Sequence, residues 1–371
     1  MKYYIIAGEA SGDLHASNLI RALKVRDKQA DIRAWGGDLM EEQGADLVMH
    51  YRDLAYMGFV EVLFNLRAIL GNIKKCKRDI LSWQPDVLIL VDYPGFNLRM
   101  AKFAHKKGLK VIYYISPQIW AWKKSRVYSI KKFVDKMLVI LPFEKDFYAK
   151  YDCEVSFVGH PLLDALPANT LDEQAFRKQN KLSDKPLIAL LPGSRKQEIE
   201  NMLKLMLQQT IHFPEYQFVI ATTSSIEDSF YKQIIQDREV AVVKNKTQEL
   251  LLISKAALVT SGTATLETAL LGIPEVVCYK TSSVSYQIAK RIVDIPYISL
   301  VNLIMGKEVV KELIQNDLNN ENLKEELDRI LNNEEYKKQI IENYQGLRAK
   351  LGGGSASENA ANEILTFVDQ K

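Results

Sequence analysis

Tyr3-Tyr4-Ile5-Ile6-Ala7 runs directly into Gly8-Glu9-Ala10-Ser11-Gly12-Asp13, and a helical pattern follows from Leu14 to Lys24. An apolar run that empties into a glycine-rich turn ahead of a helix reads as the first strand of an α/β domain. Such a turn lets backbone N–H groups approach a ligand at the positive end of a helix. The spacing is not G-x-G-x-x-G with an acidic residue about twenty positions on, so a dinucleotide is not the expected ligand.

Working outward, strand-like runs at Asp31–Trp35, Asp86–Val91, Lys110–Ile115 and Met137–Leu141 alternate with helical patterns near Asp38–Gln43 and Leu98–Lys107. Continuous apolar, β-branched runs between helices are what parallel strands covered on both faces look like. Proline and turn formers between Pro161 and Pro186 then break the pattern, and the theme restarts with Leu187–Leu191, Pro192-Gly193-Ser194-Arg195 and a helix from Glu198 to Gln209. Further strands are expected at Gln217–Ala221, Val240–Val243, Ala256–Val259 and Glu275–Tyr279. The expected architecture is two Rossmann-like, doubly wound α/β domains facing across a cleft.

A chain of 371 residues suits roughly two domains. The boundaries read as 1–165, 166–345 and a returning terminal segment 346–371. A formal net charge of +3 with 26% charged residues gives no case for a nucleic-acid partner. Charge is distributed unevenly: Lys102 to Lys136 holds ten Lys/Arg against Asp135 as its one acid, a belt that suits phosphate, an anionic bilayer or plain solvation. Cys76, Cys153 and Cys278 are far apart and odd in number, which fits a reducing cytoplasm and no disulfide framework. No signal peptide is read at Met1-Lys2, and no uncharged stretch approaches the roughly 18 residues of a spanning helix.

Four constellations carry chemistry. Pro192-Gly193-Ser194-Arg195 ends a strand where open α/β sheets place ligands, and Arg195 can fork onto a diphosphate. Ser261-Gly262-Thr263-Ala264-Thr265-Leu266-Glu267 opens a helix, offering hydroxyls and N–H groups to phosphate with Glu267 one turn inward for a ribose; helix capping and dipole compensation are the alternative. Asp92, in Val91-Asp92-Tyr93-Pro94-Gly95-Phe96-Asn97, stands at a strand tip as a turn former or a general base. His160, in Gly159-His160-Pro161, is either a hydrogen-bonded hinge residue or a catalyst. The segment Phe59–Leu70 is apolar nearly all round its helix, with Lys74, Lys75, Lys77 and Arg78 after it; it is either fully buried or an exposed patch for lipid or a hydrophobic substrate. No Asp-x-Asp, Walker loop, nucleophile triad or metal-ligand cluster is present, and neither a metal nor a cofactor is expected.

In this order the motifs resemble the lipid-A-disaccharide synthase family of bacterial glycosyltransferases. The likeness runs over most of the chain. It rests on Gly8–Asp13, Met57-Gly58-Phe59-Val60-Glu61-Val62-Leu63, Val91–Asn97, Ser116-Pro117-Gln118-Ile119-Trp120-Ala121-Trp122 and Leu141-Pro142-Phe143-Glu144. It continues through Gly159-His160-Pro161, Leu191–Arg195, Ser261–Glu267, Ser299-Leu300-Val301-Asn302-Leu303 and Val310-Lys311-Glu312-Leu313. Val301 departs from the pattern, which has proline before the asparagine.

The resemblance implies a GT-B fold and a transfer that joins UDP-2,3-diacylglucosamine to 2,3-diacylglucosamine 1-phosphate. The products would be a β-1,6-linked disaccharide 1-phosphate and UDP, with inversion and no required metal. It implies Asp92 as the base and a UDP seat of Arg195, Ser261, Gly262, Thr263, Ala264, Thr265, Glu267 and Asn302, with Ser11, Gly12 and Asp13 shaping the acceptor side. Val60, Val62, Leu63, Leu66, Ile69 and Leu70 would touch anionic inner-membrane lipids from the cytoplasmic face. A homodimer is compatible with the sequence, which does not fix the oligomeric state. A UDP-sugar 2-epimerase of the same fold and a non-catalytic nucleotide-binding scaffold are the competing readings.

Overall fold

The computed structural model describes residues 1–54, 66–167, 171–223, 225–293 and 295–369. It divides into a unit of Met1–Asp164 with Leu351–Lys371 and a unit of Ala165–Lys350. The expected division at 345 falls inside the helix Glu334–Lys350.

The first unit holds a sheet of β1 (Lys2–Ala7), β2 (Asp31–Gly36), β3 (Asp46–His50), β4 (Val87–Val91), β5 (Lys110–Tyr114), β6 (Lys136–Val139) and β7 (Ser156–Phe157), in the order β3-β2-β1-β4-β5-β6-β7. Every pairing is parallel. All five residues of β4 are fully buried, and each such aliphatic side chain contributes about 1.5–3 kcal/mol relative to exposure. The last helix, Ala356–Asp369, belongs to this unit. Its first turn donates the Ala356 and Ser357 N–H groups to the Asp164 carboxylate at 3.1 and 2.8 Å, and Glu363 pairs with Lys136 at 2.7 Å. Lys110 donates to the Val368 carbonyl at 2.7 Å. Part of the basic belt therefore fastens the chain's end.

The second unit repeats the plan with β8 (Leu187–Leu191), β9 (Gln217–Thr222), β10 (Ala241–Lys244), β11 (Ser254–Thr260), β12 (Glu275–Tyr279) and β13 (Lys311–Ile314), ordered β10-β9-β8-β11-β12-β13 and wholly parallel. The strands that periodicity misses, β3, β7 and β13, all lie at sheet edges and are half-buried, so they lack the continuous apolar run of a central strand.

The first helix begins at Ala10, not Leu14. The turn is only Gly8-Glu9, and Gly12 lies within the helix, where an added Cβ would stand 3.2 Å from Ala7 Cβ. Val60, Val62 and Leu63 of the apolar segment, and the side chain of Leu66, lie outside the described residues. Ile69 packs on the core of the first unit, whereas Leu70 is 62% exposed. Among the described residues no helix is long and apolar enough to cross a membrane.

Candidate active site

Both sheets reverse their strand order at one place, between β1 and β4 in the first unit and between β8 and β11 in the second. Ligands of open α/β sheets bind outside the carboxyl ends of the strands at such switch points. Ala7 pairs with Val91, so Gly8 and Asp92 leave the first sheet side by side; Leu191 pairs with Val259, so Gly193 and Ser261 leave the second close together. The sequence motifs singled out above emerge at these two positions.

At the first switch point Asp92 and Tyr93 are consecutive residues in the left-handed region, with φ of 44° and 48°. Such backbone costs about 1–3 kcal/mol per residue and persists where neighbours over-determine it. Here Asn97 Nδ2 donates to the Val91 and Asp92 carbonyls at 3.1 and 2.8 Å, and Tyr113 Oη donates to the Asp92 carbonyl at 2.5 Å. The Tyr93 ring covers Gly8, where a Cβ would stand 2.3 Å from ring carbons. Burial pushes the Asp92 carboxyl up to about 6, and the negative charge of Glu9 adds to the shift. A carboxylate poised near neutrality at a rigid strand tip can take a proton from a hydroxyl. Ser11 is exposed on the first turn of the adjoining helix.

The second switch point opens into a pocket of about 220 Å³ lined by Gly193, Ser194, Glu198, Ser261 to Ala264 and Glu267, with Thr223, Thr247 and Thr260 among the remaining walls. Gly193 has φ 108°, and a Cβ there would stand 2.9 Å from Glu198 Oε2. The helix Thr263–Leu270 has no side-chain cap, because its N-cap residue is Gly262, and the preceding Ser261 hydroxyl donates to the Ile298 carbonyl at 3.0 Å. Capping, the alternative reading of this motif, is therefore not what Ser261 does. An uncapped helix start presents N–H donors and the positive dipole end to an anion. Glu267 is half-buried, and the partial loss of solvent raises its pKa, while the Gln248 amide donating to Oε1 at 2.6 Å opposes the rise.

Several expected site residues do other work. Asp13 is 3% exposed, and its carboxylate accepts from the N–H groups of Gly37, Leu39 and Met40, capping the helix Asp38–Glu42. Gly12, buried against β1, offers no surface to an acceptor either. Thr265 is fully buried with its hydroxyl on the Gly262 carbonyl at 2.8 Å. Asn302 is fully buried too: Nδ2 donates to the Val310 carbonyl and Glu312, and Oδ1 accepts from Val309 and Val310 N–H. Its amide ties the helix Leu300–Met305 to the segment entering β13 and has no donor left for a ligand. Arg195 is not among the pocket-lining residues; it stands 75% exposed and pairs with Glu198 at 3.2 Å. His160 is buried: its backbone N–H donates to the Leu351 carbonyl at 3.0 Å, its Nδ1 accepts from Leu162 N–H at 3.2 Å, and burial beside His15 pushes its pKa down to about 3.

Glu198, Gln248 and the threonines at 223, 247 and 260 were not among the expected residues. A carboxylate three residues beyond Arg195 was the one available signal. Thr260 directly precedes the Ser261 motif at the end of β11, whereas Thr223 follows β9 and Thr247-Gln248 follow β10, strand tips that no local motif connects to it. Among the described residues no group of three or more His, Cys, Asp or Glu side chains is placed to hold a metal ion.

Residues 3–365 match the family model described as Lipid-A-disaccharide synthetase. The chain is 40% identical over 371 residues to the lipid-A-disaccharide synthase of Syntrophus aciditrophicus, covering 98% of this chain and 97% of that one. It is 38% identical over 370 residues to the enzyme of that name from Coxiella burnetii, covering 98% of each. Among solved structures it resembles the UDP-GlcNAc 2-epimerase from Neisseria meningitidis bound to UDP-GlcNAc, at TM-score 0.69 and 15% identity over 99% of this chain and 100% of that one. The S. aureus MnaA-UDP co-structure gives TM-score 0.70 at 12% identity, covering 100% and 97%. At such identities the structural likeness establishes the two-domain GT-B fold alone.

Proposed function

The chain belongs to the lipid-A-disaccharide synthase family of glycosyltransferases, and from that premise we propose how its two units divide the reaction. The donor is UDP-2,3-diacylglucosamine and the acceptor 2,3-diacylglucosamine 1-phosphate. The second unit seats UDP in the pocket at the β8/β11 switch point. There the helix start at Gly262–Ala264 receives the diphosphate and Glu267 accepts from the ribose hydroxyls. Arg195 leaves Glu198 to meet the phosphate charge that grows as UDP departs, the kind of electrostatic stabilisation that dominates many enzymes. The first unit supplies Asp92, which takes the proton of the acceptor 6-hydroxyl as that oxygen attacks the anomeric carbon. The bond to UDP breaks on the opposite side, so the linkage forms with inversion.

The observation that carries this reading is the uncapped helix start sharing one pocket with a half-buried carboxylate, Glu267, at a switch point. Incubation of the purified protein with both lipid sugars, followed by mass spectrometry, tests it. UDP together with a disaccharide 1-phosphate is expected. Epimerised UDP-sugar without released UDP would instead support the epimerase reading.

Acylated substrates place the reaction at a bilayer. Contact with anionic lipid from the cytoplasmic face is assigned to exposed Leu70, with Lys74 and Arg78 following at helical spacing on the helix Leu66–Trp83. Leu70→Ser with Lys74→Glu should lower co-sedimentation with anionic vesicles while leaving the thermal midpoint in place. Undiminished co-sedimentation would remove this face from the reading.

A further inference from the structure

We infer that Gln248 is a positioning residue for nucleotide recognition, holding the Glu267 carboxylate in the orientation that reads the ribose. This inference rests on the ribose role given to Glu267 above. Gln248 sits on the short helix Thr247–Leu252, which follows β10, and its neighbour Thr247 lines the pocket. Glu267 lies on a different helix, Thr263–Leu270, which follows β11. The two meet through Gln248 Nε2 and Glu267 Oε1 at 2.6 Å, a short, charge-assisted contact.

A glutamate side chain has three torsions, and a carboxylate that must accept two vicinal hydroxyls has to present its oxygens in one plane. Burial alone does not fix that plane. The amide of Gln248 does, because its N–H is directed and occupies one lone-pair position on Oε1. Glu267 itself lines the pocket, so its remaining acceptor positions are left for the ribose. Supporting shells of this kind keep a binding group within the narrow tolerance that recognition needs. Gln248 touches no substrate in this scheme and acts through Glu267.

The test compares binding of UDP and 2′-deoxy-UDP by titration calorimetry in the wild type, Glu267→Gln, Gln248→Leu and Gln248→Met. The wild type should favour UDP, and Glu267→Gln should abolish that preference. Both Gln248 variants should reduce it about fivefold, the scale of one net hydrogen bond, with kcat at saturating donor retained. Equal weakening of both nucleotides, or an intact preference in both Gln248 variants while Glu267→Gln loses it, would overturn the positioning role and leave the ribose role standing. An intact preference in Glu267→Gln would remove the ribose role itself.

Discussion

At the β1/β4 tip the positive φ angles fall on Asp92 and Tyr93, whereas at the β8/β11 tip the positive φ falls on Gly193. The first tip is strained, roofed by the Tyr93 ring and tied by Asn97 and Tyr113. Ile115 at the neighbouring tip of β5 adds a β-branched residue at φ 65°. The second tip is built from glycine, serine and threonine around an uncapped helix start, with its arginine 75% exposed. The same sheet order thus supports two kinds of site. One fixes the backbone behind a single carboxylate; the other leaves N–H donors open at a helix start. On the proposed division of roles, strain is concentrated where one atom must be placed, and openness where a large charged group must enter.

The sharpest way to break this contrast is Asp92→Asn, which keeps the shape of the strained turn and removes its basicity. Turnover should fall by about 10²–10⁴ with UDP affinity unchanged, read by steady-state kinetics and calorimetry. Near-normal turnover would leave the strain at this tip without a catalytic purpose. Arg195→Ala addresses the open tip. Loss of a donor to developing charge should lower turnover by about 10²–10³, and an unaffected enzyme would mean that pairing with Glu198 is the arginine's whole role.

Asn302→Ala separates structure from binding within the second unit. It removes four internal hydrogen bonds, so unfolding stability should drop by about 2–4 kcal/mol in denaturant titration, with UDP affinity retained below the transition. Weakened UDP binding in folded protein would return Asn302 to the pocket. The smallest effect is a shift in pH dependence. The proposed base must be ionised to act, and burial pushes the Asp92 carboxyl up to about 6, so kcat/KM should fall as pH drops through that value. Glu9→Gln removes a like charge, lowers the Asp92 pKa and moves the acid limb to lower pH. An acid limb that stays in place would uncouple Glu9 from the base.

The sequence reading reached the switch points because glycine turns after apolar runs are local signals, and local spacing is what a sequence displays. What it does not show is that backbone amides take up the side-chain oxygens of Asp13 and Asn302. A short polar side chain in a motif looks the same whether it faces a ligand or a backbone amide brought in from elsewhere. The amides that occupy Asp13 come from residues 37 to 40, and those that occupy Asn302 from residues 309 and 310. Gln248 was missed for the complementary reason, since nothing near it in the chain marks its partner on another helix.

By itself, the sequence determined the α/β class, the repeated strand–turn–helix plan and the family, because apolar periodicity, glycine placement and motif order are properties of the linear chain. Tertiary structure alone decided which polar groups remain available. Hydrogen-bond capacity is finite, and only packing brings in the distant donors and acceptors that fill it.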